Sequence, residues 1–305
     1  MKNIIITGCN GFIGGQLTEF YCKKNNFNVI GIGREESYIM DKRFEFLKYN
    51  LEKDDLTSLY KNINPEIIIH CAGSASVGKS IEFPEIDFNK NVKILYKILF
   101  SIKNAKINPQ FIFLSSAAVY GNPKRLPIHE EDVLTPISPY GLNKKLCEEI
   151  CKYFVHNESL NIKILRIFSA YGEGLKKQIF WDMYKKLKYT KGLKLYGTGE
   201  ETRDFINIKE ILNALDLIVS NNNRYRVFNV ANGVDIKIRD VSRRFVELMG
   251  MSKDIIHFNN TIKNGDPLKW KADINRLKEL GYKQSISIDD GIRSYINWLR
   301  SIDNE

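Results

Sequence analysis

Two motifs place proton-exchanging side chains behind predicted strands. Tyr140 and Lys144 are four residues apart in SPYGLNKK, so a helix would present them on one face. Free tyrosine titrates only near about pH 10, but a neighbouring ammonium group stabilises the phenolate form. Ser116, in LSSAAVYG at the end of a predicted strand, would orient the substrate oxygen whose proton moves. These residues predict general acid/base catalysis; the alternative is an exposed pair on a helix surface, since this spacing is common by chance.

Glycines stand three residues apart in TGCNGFIG, between the first predicted strand and the first predicted helix. At such a junction Gly8, Gly11 and Gly14 allow a tight turn, close approach of the backbone to a pyrophosphate, and close packing of helix on strand. The free N–H groups at the start of the helix would face the phosphates. Glycine also marks ordinary turns, but this placement predicts a dinucleotide cofactor.

The end of the second predicted strand bears on the choice between NAD and NADP. NAD sites usually keep a carboxylate there, about 20 residues after the glycines, to bind the ribose 2′-hydroxyl. Here Gly33 and Arg34 occupy that position, and a guanidinium beside a small residue would accept a 2′-phosphate. We therefore expect NADP(H). NAD is the alternative, in which Arg34 is simply exposed and Glu35 or Glu36 binds the ribose.

Short apolar runs alternate with amphipathic segments through residue 167. The runs suit a buried parallel sheet and are NIIIT (3–7), NVIGI (28–32), FEFLKY (44–49), EIIIH (66–70), FIFLS (111–115) and IKILRI (162–167). Helical spacing of apolar residues marks 11–24, 54–62, 85–103 and 139–156. This alternation predicts an α/β fold with a doubly wound parallel (Rossmann) sheet, and residues 1–170 as a dinucleotide-binding domain.

The pattern after residue 170 is less regular. It predicts a strand at 193–196 and helices at 175–189, 208–220, 238–249, 273–280 and 288–300. Turn-rich segments such as YGTGEETRD separate these elements. We expect residues 171–305 to form mainly a smaller, mixed substrate lobe, partly interleaved with the first domain and sharing a cleft with it.

Composition excludes several classes of protein. The 305 residues are 43% hydrophobic and 27% charged, which is typical of a globular chain and not of a disordered one. No apolar stretch approaches the roughly 18 residues of a membrane span, and MKNIIITGCNGFIGG lacks the features of a signal peptide. We therefore expect a cytoplasmic protein. The five cysteines lack metal-ligand spacing, which favours free thiols and no metal site.

The net charge of +10 suits an anionic partner. The lysines are spread along the chain without a block of about five or six like charges, which favours a basic surface over a nucleic-acid stripe. We expect neither nucleic acid nor membrane as a partner.

Taken jointly, the motifs resemble those of extended short-chain dehydrogenases/reductases of the nucleotide-sugar epimerase/dehydratase family, over nearly the whole chain. TGCNGFIG resembles the family's TGxxGxxG, and SSAAVYG and SPYGLNKK resemble its serine and YxxxK motifs. HCAGSASVGKS (70–80) resembles its cofactor-lining segment, while GTGEETRDFI (197–206) and NGDPLKWKAD (264–273) resemble its RDF and GDP-containing segments.

The resemblance implies roles for the matching residues. Ser116, Tyr140 and Lys144 would be the catalytic group, and the substrate would be a nucleotide sugar. Arg203 would bind the substrate pyrophosphate, a role that suits a bidentate fork. The cofactor contacts that we assign are Gly8, Gly11, Phe12, Ile13, Gly14, Arg34, Asn50, Leu51, Ala72, Tyr140 and Lys144.

Departures from the family pattern bear on the reaction. The family's dehydratases carry an Asp-Glu pair after the active-site serine or threonine, where this chain has Ala117 and Ala118, so we do not expect dehydration. Ser169 stands in place of a common asparagine and Lys263 in place of an arginine. We assign both to substrate binding together with Ser116 and Arg203.

The first expectation is an NADPH-dependent reductase that acts on the C4 keto group of a nucleotide-linked 4-keto-6-deoxyhexose in surface-polysaccharide sugar synthesis. The alternative is a C4 epimerase, which would use the same residues with retained NAD. A catalytically silent NADP-binding regulator is a third hypothesis. The serine, the tyrosine and the lysine are all present, which argues against it.

A homodimer is also expected, because segments 85–103 and 139–156 resemble the helices through which the family pairs. Cys147, Ile150 and Phe154 would contribute to the apolar interface. The alternative is that these three side chains only face the sheet.

Overall fold

The computed structural model describes residues 1–37, 39–190, 192–221 and 223–303. Its strands are β1 (Lys2–Thr7), β2 (Phe27–Gly33), β3 (Phe44–Lys48), β4 (Ile67–His70), β5 (Gln110–Ser116), β6 (Ile162–Ile167), β7 (Ser169–Tyr171), β8 (Leu193–Leu195), β9 (Thr202–Asn207), β10 (Val227–Val230), β11 (Asp235–Lys237) and β12 (Ile256–Phe258).

The α-helices are α1 (Phe12–Cys22), α2 (Thr57–Ile63), α3 (Val77–Glu82), α4 (Pro84–Phe88), α5 (Ile94–Ala105), α6 (Pro139–Glu158), α7 (Gln178–Tyr189), α8 (Ile208–Ser220), α9 (Ile238–Leu248), α10 (Asn275–Glu279) and α11 (Ile288–Asp303). The chain divides into two compact units. The first comprises Met1–Gly121, Val133–Ile167 and Asn221–Phe228, and the second comprises Asn122–Asp132, Phe168–Ser220 and Asn229–Glu305.

The large sheet has seven strands in the order β10-β6-β5-β4-β1-β2-β3, and β1 to β6 pair in parallel. In register, Ile4 of β1 lies between Val29 of β2 and Ile67 of β4. Ile4 is fully buried, as expected of a strand whose two faces are both covered. The predicted doubly wound parallel sheet is confirmed.

The strand order reverses between β1 and β4. The chain runs from β1 to β2 and β3 on one side, and then returns to β4 on the other side of β1. The carboxyl ends of β1 and β4 therefore border the crevice in which doubly wound sheets bind ligands. Gly8 follows β1 directly, and Cys71 follows β4.

The segment predicted as one helix at 85–103 contains an irregularity. A π turn, Asn89–Lys93, joins α4 to α5. Within it the Asn91 side chain donates from Nδ2 to the carbonyl oxygen of Asp87 at 3.0 Å. The prediction of a regular helix is wrong here, because an apolar period of 3.6 residues does not reveal one wider turn.

Two of the three residues predicted at a dimer interface are buried inside the first unit. Cys147 and Phe154 are 0% and 2% exposed and pack in the core beneath the sheet, and Ile150 packs partly against that core. The placement of Cys147 and Phe154 on an outer surface was wrong, since they belong to the inward stripe of α6. The exposed apolar residues of α5 and α6 are Tyr96, Phe100, Leu142, Leu146 and Tyr153.

The second unit contains two small sheets around an aromatic core. Strand β9 pairs in parallel with β7 and antiparallel with β11, while β12 pairs in parallel with β8. The Phe180 ring packs against those of Tyr171, Phe205, Phe245 and Tyr295, with centroids 5.3 to 6.1 Å apart.

Strand β9 begins inside the segment predicted to be turn. The Asp204 carboxylate accepts hydrogen bonds from the backbone N–H groups of Asn232, Gly233 and Ala272, which lie far along the chain. Local composition favoured a turn, whereas these distant contacts hold an extended strand. No helix in the described ranges is long and apolar enough to cross a bilayer.

Candidate active site

The glycine turn after β1 has no room for side chains. Gly8 has a φ of +70°, and a Cβ atom built on it would lie 2.7 Å from the Ala72 backbone nitrogen. A Cβ on Gly14 would lie 2.2 Å from the Gly8 carbonyl oxygen. No side chain caps α1, which begins after Gly11, so its first N–H groups can donate to a ligand. This cradle fits a dinucleotide pyrophosphate.

A cavity opens beside this turn within the first unit. The predicted cofactor residues that line it are Gly8, Gly11, Arg34, Asn50, Leu51 and Ala72. Other lining residues were not assigned one by one. Cys71 and Gly73 fall in the segment 70–80 that resembles the family's cofactor-lining segment, and Asn10 falls in the glycine motif. No sequence pattern indicates the lining residues Ile32, Tyr49, Lys90 and Ile94.

Several residues assigned to the cofactor are not part of the cavity wall. Phe12 and Ile13 begin α1, and Gly14 is pressed against the Gly8 carbonyl oxygen. Tyr140 and Lys144 lie on α6. Their contact with a cofactor stays a prediction.

The segment after β2 contributes two charged residues, Arg34 and Glu35, to the lining of the cavity. Asn10, in the glycine turn, donates from Nδ2 to the carbonyl oxygens of Glu35 and Glu36 at 2.8 and 3.2 Å, which fastens this segment beside the turn. The site can therefore offer a guanidinium to a 2′-phosphate or a carboxylate to a ribose hydroxyl.

The helix that carries Tyr140 begins at a well-formed cap. Ser138 accepts a hydrogen bond from the Gly141 N–H, and Pro139 occupies the first helical position, where proline is favoured. The Tyr140 N–H donates to Ser80 Oγ on α3 at 3.0 Å. The backbone of Tyr140 is thus fixed from two directions.

Lys144 is buried and oriented by the strand that ends at Ser116. Its Nζ donates to the Leu114 carbonyl oxygen at 2.9 Å and lies 5.9 Å from the centroid of the Tyr140 ring. Ser116 Oγ accepts from the Ala118 N–H at 3.2 Å. A phenol, an ammonium group and a serine hydroxyl are the side-chain types that exchange a proton with a substrate hydroxyl.

A buried histidine lies behind these residues. His70 Nδ1 is 2.7 Å from Thr7 Oγ1, and its ring stacks near Phe111 and Phe113. Burial, with a smaller contribution from Lys144, lowers the pKa of His70 to about 3, so the imidazole is neutral near pH 7. The sequence analysis gave it no role.

The thiols near the cavity are protonated near neutral pH. Burial raises the pKa of Cys9 to about 11 and raises that of Cys71 further. All five cysteines are free, and Cys71 is the one that is partly exposed. These thiols are therefore unsuited to act as nucleophiles.

The predicted substrate residues Ser169, Arg203 and Lys263 belong to the second unit. Ser169 begins β7 and is half-buried, Arg203 lies on β9, and Lys263 is exposed. The Arg203 guanidinium stands 5.6 Å from the Trp270 ring, and its Nη1 donates to the Thr202 carbonyl oxygen at 2.9 Å.

Arg203 has no ion-pair partner among the residues that the structure describes. Asp204, the carboxylate that could have paired with it, is instead bonded to three backbone N–H groups. Burial lowers the pKa of Arg203, although Asp266 and Glu201 act in the opposite direction. The guanidinium is thus available to an anionic ligand.

Comparison with known proteins agrees with this fold and site. The sequence model of the NAD dependent epimerase/dehydratase family matches residues 4–231. This chain belongs to that family. The resemblance inferred from the motifs is confirmed, and the chain is an enzyme of a nucleotide-sugar family.

Similar proteins include named 4-epimerases. The chain is 27% identical to a putative UDP-glucose 4-epimerase of Methanocaldococcus jannaschii, over 98% of each protein. It is 25% identical to UDP-glucuronic acid 4-epimerase from Bacillus cereus, solved with UDP-glucuronic acid and NAD, with a TM-score of 0.90 over 99% of this chain and 100% of that one. UDP-N-acetylglucosamine 4-epimerase from Methanobrevibacter ruminantium, in complex with UDP-N-acetylmuramic acid, gives 27% identity and a TM-score of 0.88 over 99% of each chain.

Proposed function

We propose that this protein is a nucleotide-sugar C4 epimerase with retained NAD. The observation that carries the proposal is the buried Lys144 ammonium beside the Tyr140 ring, on the helix that follows the strand of Ser116. The named 4-epimerases among its relatives support epimerisation over the 4-keto reduction that the sequence first suggested. Its location would be the cytoplasm.

The proposed roles follow from the chemistry of each side chain. The Tyr140 phenolate oxygen accepts the proton of the sugar C4 hydroxyl and later returns it to the same oxygen. Ser116 donates a hydrogen bond to that oxygen, and Lys144 stabilises the phenolate. NAD, held at the glycine turn, would accept the hydride of C4 and return it to the other face of the sugar, so that C4 would be inverted without net oxidation.

The nucleotide part of the substrate is assigned to the second unit. Arg203 would bind the pyrophosphate with charge-assisted hydrogen bonds, because its guanidinium has no carboxylate partner among the described residues. Ser169 and Lys263 would make further substrate contacts. Neither is part of the proton-transfer group.

The cofactor proposal depends on the segment after β2. We assign the ribose 2′-hydroxyl of NAD to Glu35, a residue that lines the cavity and whose backbone carbonyl oxygen accepts a hydrogen bond from Asn10. Arg34 at the same cavity favours a second candidate function, the NADPH-dependent reductase. Glu35→Ala should weaken NAD binding if NAD is the cofactor, whereas Arg34→Ala should selectively weaken NADP binding if it is NADP.

One experiment separates the two functions. The cofactor is released from purified protein and identified, and the protein is then assayed for interconversion of C4 epimers of UDP-sugars without added cofactor. The epimerase predicts co-purified NAD and interconversion. Empty protein that oxidises added NADPH with dTDP- or GDP-linked 4-keto-6-deoxy sugars would establish the reductase instead.

A homodimer remains part of the proposal. The outward faces of α5 and α6 expose Tyr96, Phe100, Leu142 and Tyr153 by 44 to 54%, which is unusual for large apolar side chains in water. A second copy of this chain would cover them. Light scattering should give twice the 35.3 kDa chain mass, and Phe100→Asp with Tyr153→Asp should give the monomer. Met40→Asp, at a 98% exposed position, is the control.

A further inference from the structure

A buried ion pair joins elements of the first unit that the mechanism depends on. Arg166 on β6 donates to Glu148 on α6 through Nε to Oε1 at 3.0 Å and through Nη2 to Oε2 at 2.7 Å. The two side chains are 3% and 0% exposed. A hydrophobic pair of similar volume is often at least as stable as a buried ion pair, so stability alone does not account for this one.

The other hydrogen bonds of the pair come from residues on either side of Ser116. Ser115 Oγ donates to Glu148 Oε1 at 2.6 Å, and Arg166 Nη1 donates to the Tyr120 hydroxyl at 2.7 Å. The Arg166 guanidinium also lies 4.8 Å from the Tyr120 ring centroid. The strand and the turn that flank Ser116 are therefore both attached to one guanidinium–carboxylate pair.

The same pair is attached to the helix of Tyr140 and Lys144. Glu148 follows Lys144 by four residues, so the two side chains are neighbours on one face of α6. Lys144 in turn donates to Leu114 on β5, two residues before Ser116. Strand, turn and helix are thus connected near the atoms that would exchange a proton.

We propose that Arg166 and Glu148 are positioning residues, which hold Ser116 on β5 in register with Tyr140 and Lys144 on α6. The proposal rests on the proposed function, since it presumes the roles of these three residues. Proton transfer requires close geometry, and a displacement of about 1 Å can cost on the order of 100-fold in rate. Neither positioning residue needs to touch the substrate.

The pair is also electrically neutral as a unit. Other titratable groups packed around this part of α6 are His70 at the end of β4, Cys71 after it, and Cys147 and Cys151 on α6 itself. Asp87 on α4 accepts a hydrogen bond from Asn143 of α6. Burial lowers the pKa of His70 and raises that of each of these thiols, so they are uncharged near pH 7. Glu148→Gln would therefore remove the carboxylate that compensates the Arg166 cation, and Glu148 lies one turn from Lys144 on α6.

The test compares Glu148→Gln, the double variant Glu148→Gln/Arg166→Met, and the wild type. Glu148→Gln should lower kcat about 10- to 100-fold per folded molecule with KM nearly unchanged. It should also move the acid limb of the pH profile to lower pH, since a new cation favours the phenolate. The double variant removes both charges, so its pH midpoint should return toward that of the wild type while kcat stays low.

Lys163→Met is the matched control. Lys163 lies on the same strand and is buried, and its side chain donates to Asn223 and Tyr225, which lie outside β5 and α6. It should lower the melting temperature but leave kcat and the pH profile unchanged. If Glu148→Gln behaves like Lys163→Met, with stability lost and kinetics intact, the positioning role is wrong.

Two milder variants keep the test valid if Glu148→Gln does not fold. Ser115→Ala and Tyr120→Phe each remove one hydrogen bond to the pair and should lower kcat about 2- to 10-fold. Unchanged kcat in both would overturn the proposal.

A substrate-free measurement separates this proposal from the proposed function. The pH midpoint of the ultraviolet phenolate absorbance that Tyr140→Phe removes reports on Tyr140 directly. Glu148→Gln should lower that midpoint even if no nucleotide sugar is turned over. An unchanged midpoint would count against the pair, whereas inactivity of the wild type would count against the epimerase alone.

Discussion

The glycine turn and the start of α6 prepare for ligands in opposite ways. The turn uses backbone, and what it requires is the absence of side chains: a Cβ on Gly14 would come within 2.2 Å of the Gly8 carbonyl oxygen. The start of α6 uses side chains, and Tyr140 and Lys144 are held by Ser80 and Leu114 from distant parts of the chain. The residues that form a binding cradle can thus be neighbours in the sequence, whereas the residues of a proton-transfer group depend on contacts with distant parts of the chain.

The largest effect is expected from a change at the start of α6 that leaves the glycine turn intact. Tyr140→Phe keeps the ring and removes the group proposed to exchange the proton, so turnover should fall by at least about 100-fold. Cofactor affinity should barely change, because the glycine turn is intact. Steady-state kinetics measure the loss of turnover, and cofactor titration measures the cofactor affinity.

Tyr153→Phe serves as its control, since Tyr153 lies on the same helix with its side chain 54% exposed. It should retain full turnover. Near-wild-type activity in Tyr140→Phe would remove Tyr140 from the mechanism.

The next effect separates substrate binding from cofactor binding. Arg203→Ala should weaken nucleotide-sugar and free nucleoside-diphosphate binding alike, by about the 1.5–3 kcal/mol of a charged hydrogen bond. NAD affinity should be unchanged, because the glycine turn belongs to the first unit. Calorimetric titration with both ligands measures this, with the exposed Arg244→Ala as control. Unchanged diphosphate affinity, or an equal loss of NAD affinity, would exclude the role.

A smaller effect is expected from a change in the glycine turn. Gly14→Ala should destabilise the protein by about 1–3 kcal/mol, as overpacking does, and weaken cofactor binding. Gly192→Ala is the control, since a Cβ there meets only the Ile255 carbonyl oxygen at 3.9 Å and Gly192 belongs to the second unit. Chemical denaturation and cofactor titration should both distinguish the two variants; a Gly14→Ala protein that binds cofactor normally would contradict the cradle.

The smallest effect near neutral pH concerns His70, whose ring contacts Thr7 at the end of β1. The pKa of His70 is lowered by burial to about 3, against about 6.5 in an unfolded chain. Between these values the unfolded chain binds more protons, so this histidine lowers the free energy of unfolding as the pH falls, by up to about 1.4 kcal/mol per pH unit.

His70→Asn should remove that dependence. Urea unfolding at pH 7, 6 and 5 should show a shallower decline for the variant than for the wild type. Parallel declines would mean that His70 does not titrate as its burial indicates.

The difference between the two regions also explains what the sequence could predict. The alternation of apolar runs predicted β1 to β6, and the glycine spacing predicted the turn, because both depend on neighbouring residues. The Tyr140 and Lys144 spacing predicted a shared helix face. Their partners Ser80 and Leu114 are separated from them by about 60 and 30 residues, and no local pattern indicates such contacts.

Other features depended on the fold in the same way. The sequence predicts a turn where β9 begins, because the backbone donors that hold Asp204 lie elsewhere in the chain. Arg166 and Glu148 look like ordinary charged residues until β6 and α6 are brought together. The buried faces of Cys147 and Phe154 likewise follow from how α6 packs on the sheet.

The most direct test of the proposed function uses a UDP-sugar carrying deuterium at C4. Oxidation and reduction at C4 through a retained cofactor predicts that the C4 epimer forms with the deuterium still at C4 and none in the solvent, as nuclear magnetic resonance would show. Tyr140→Phe should abolish this conversion. Loss of the deuterium to water, or a failure to form any epimer while added NADPH is oxidised by a 4-keto sugar, would contradict the account.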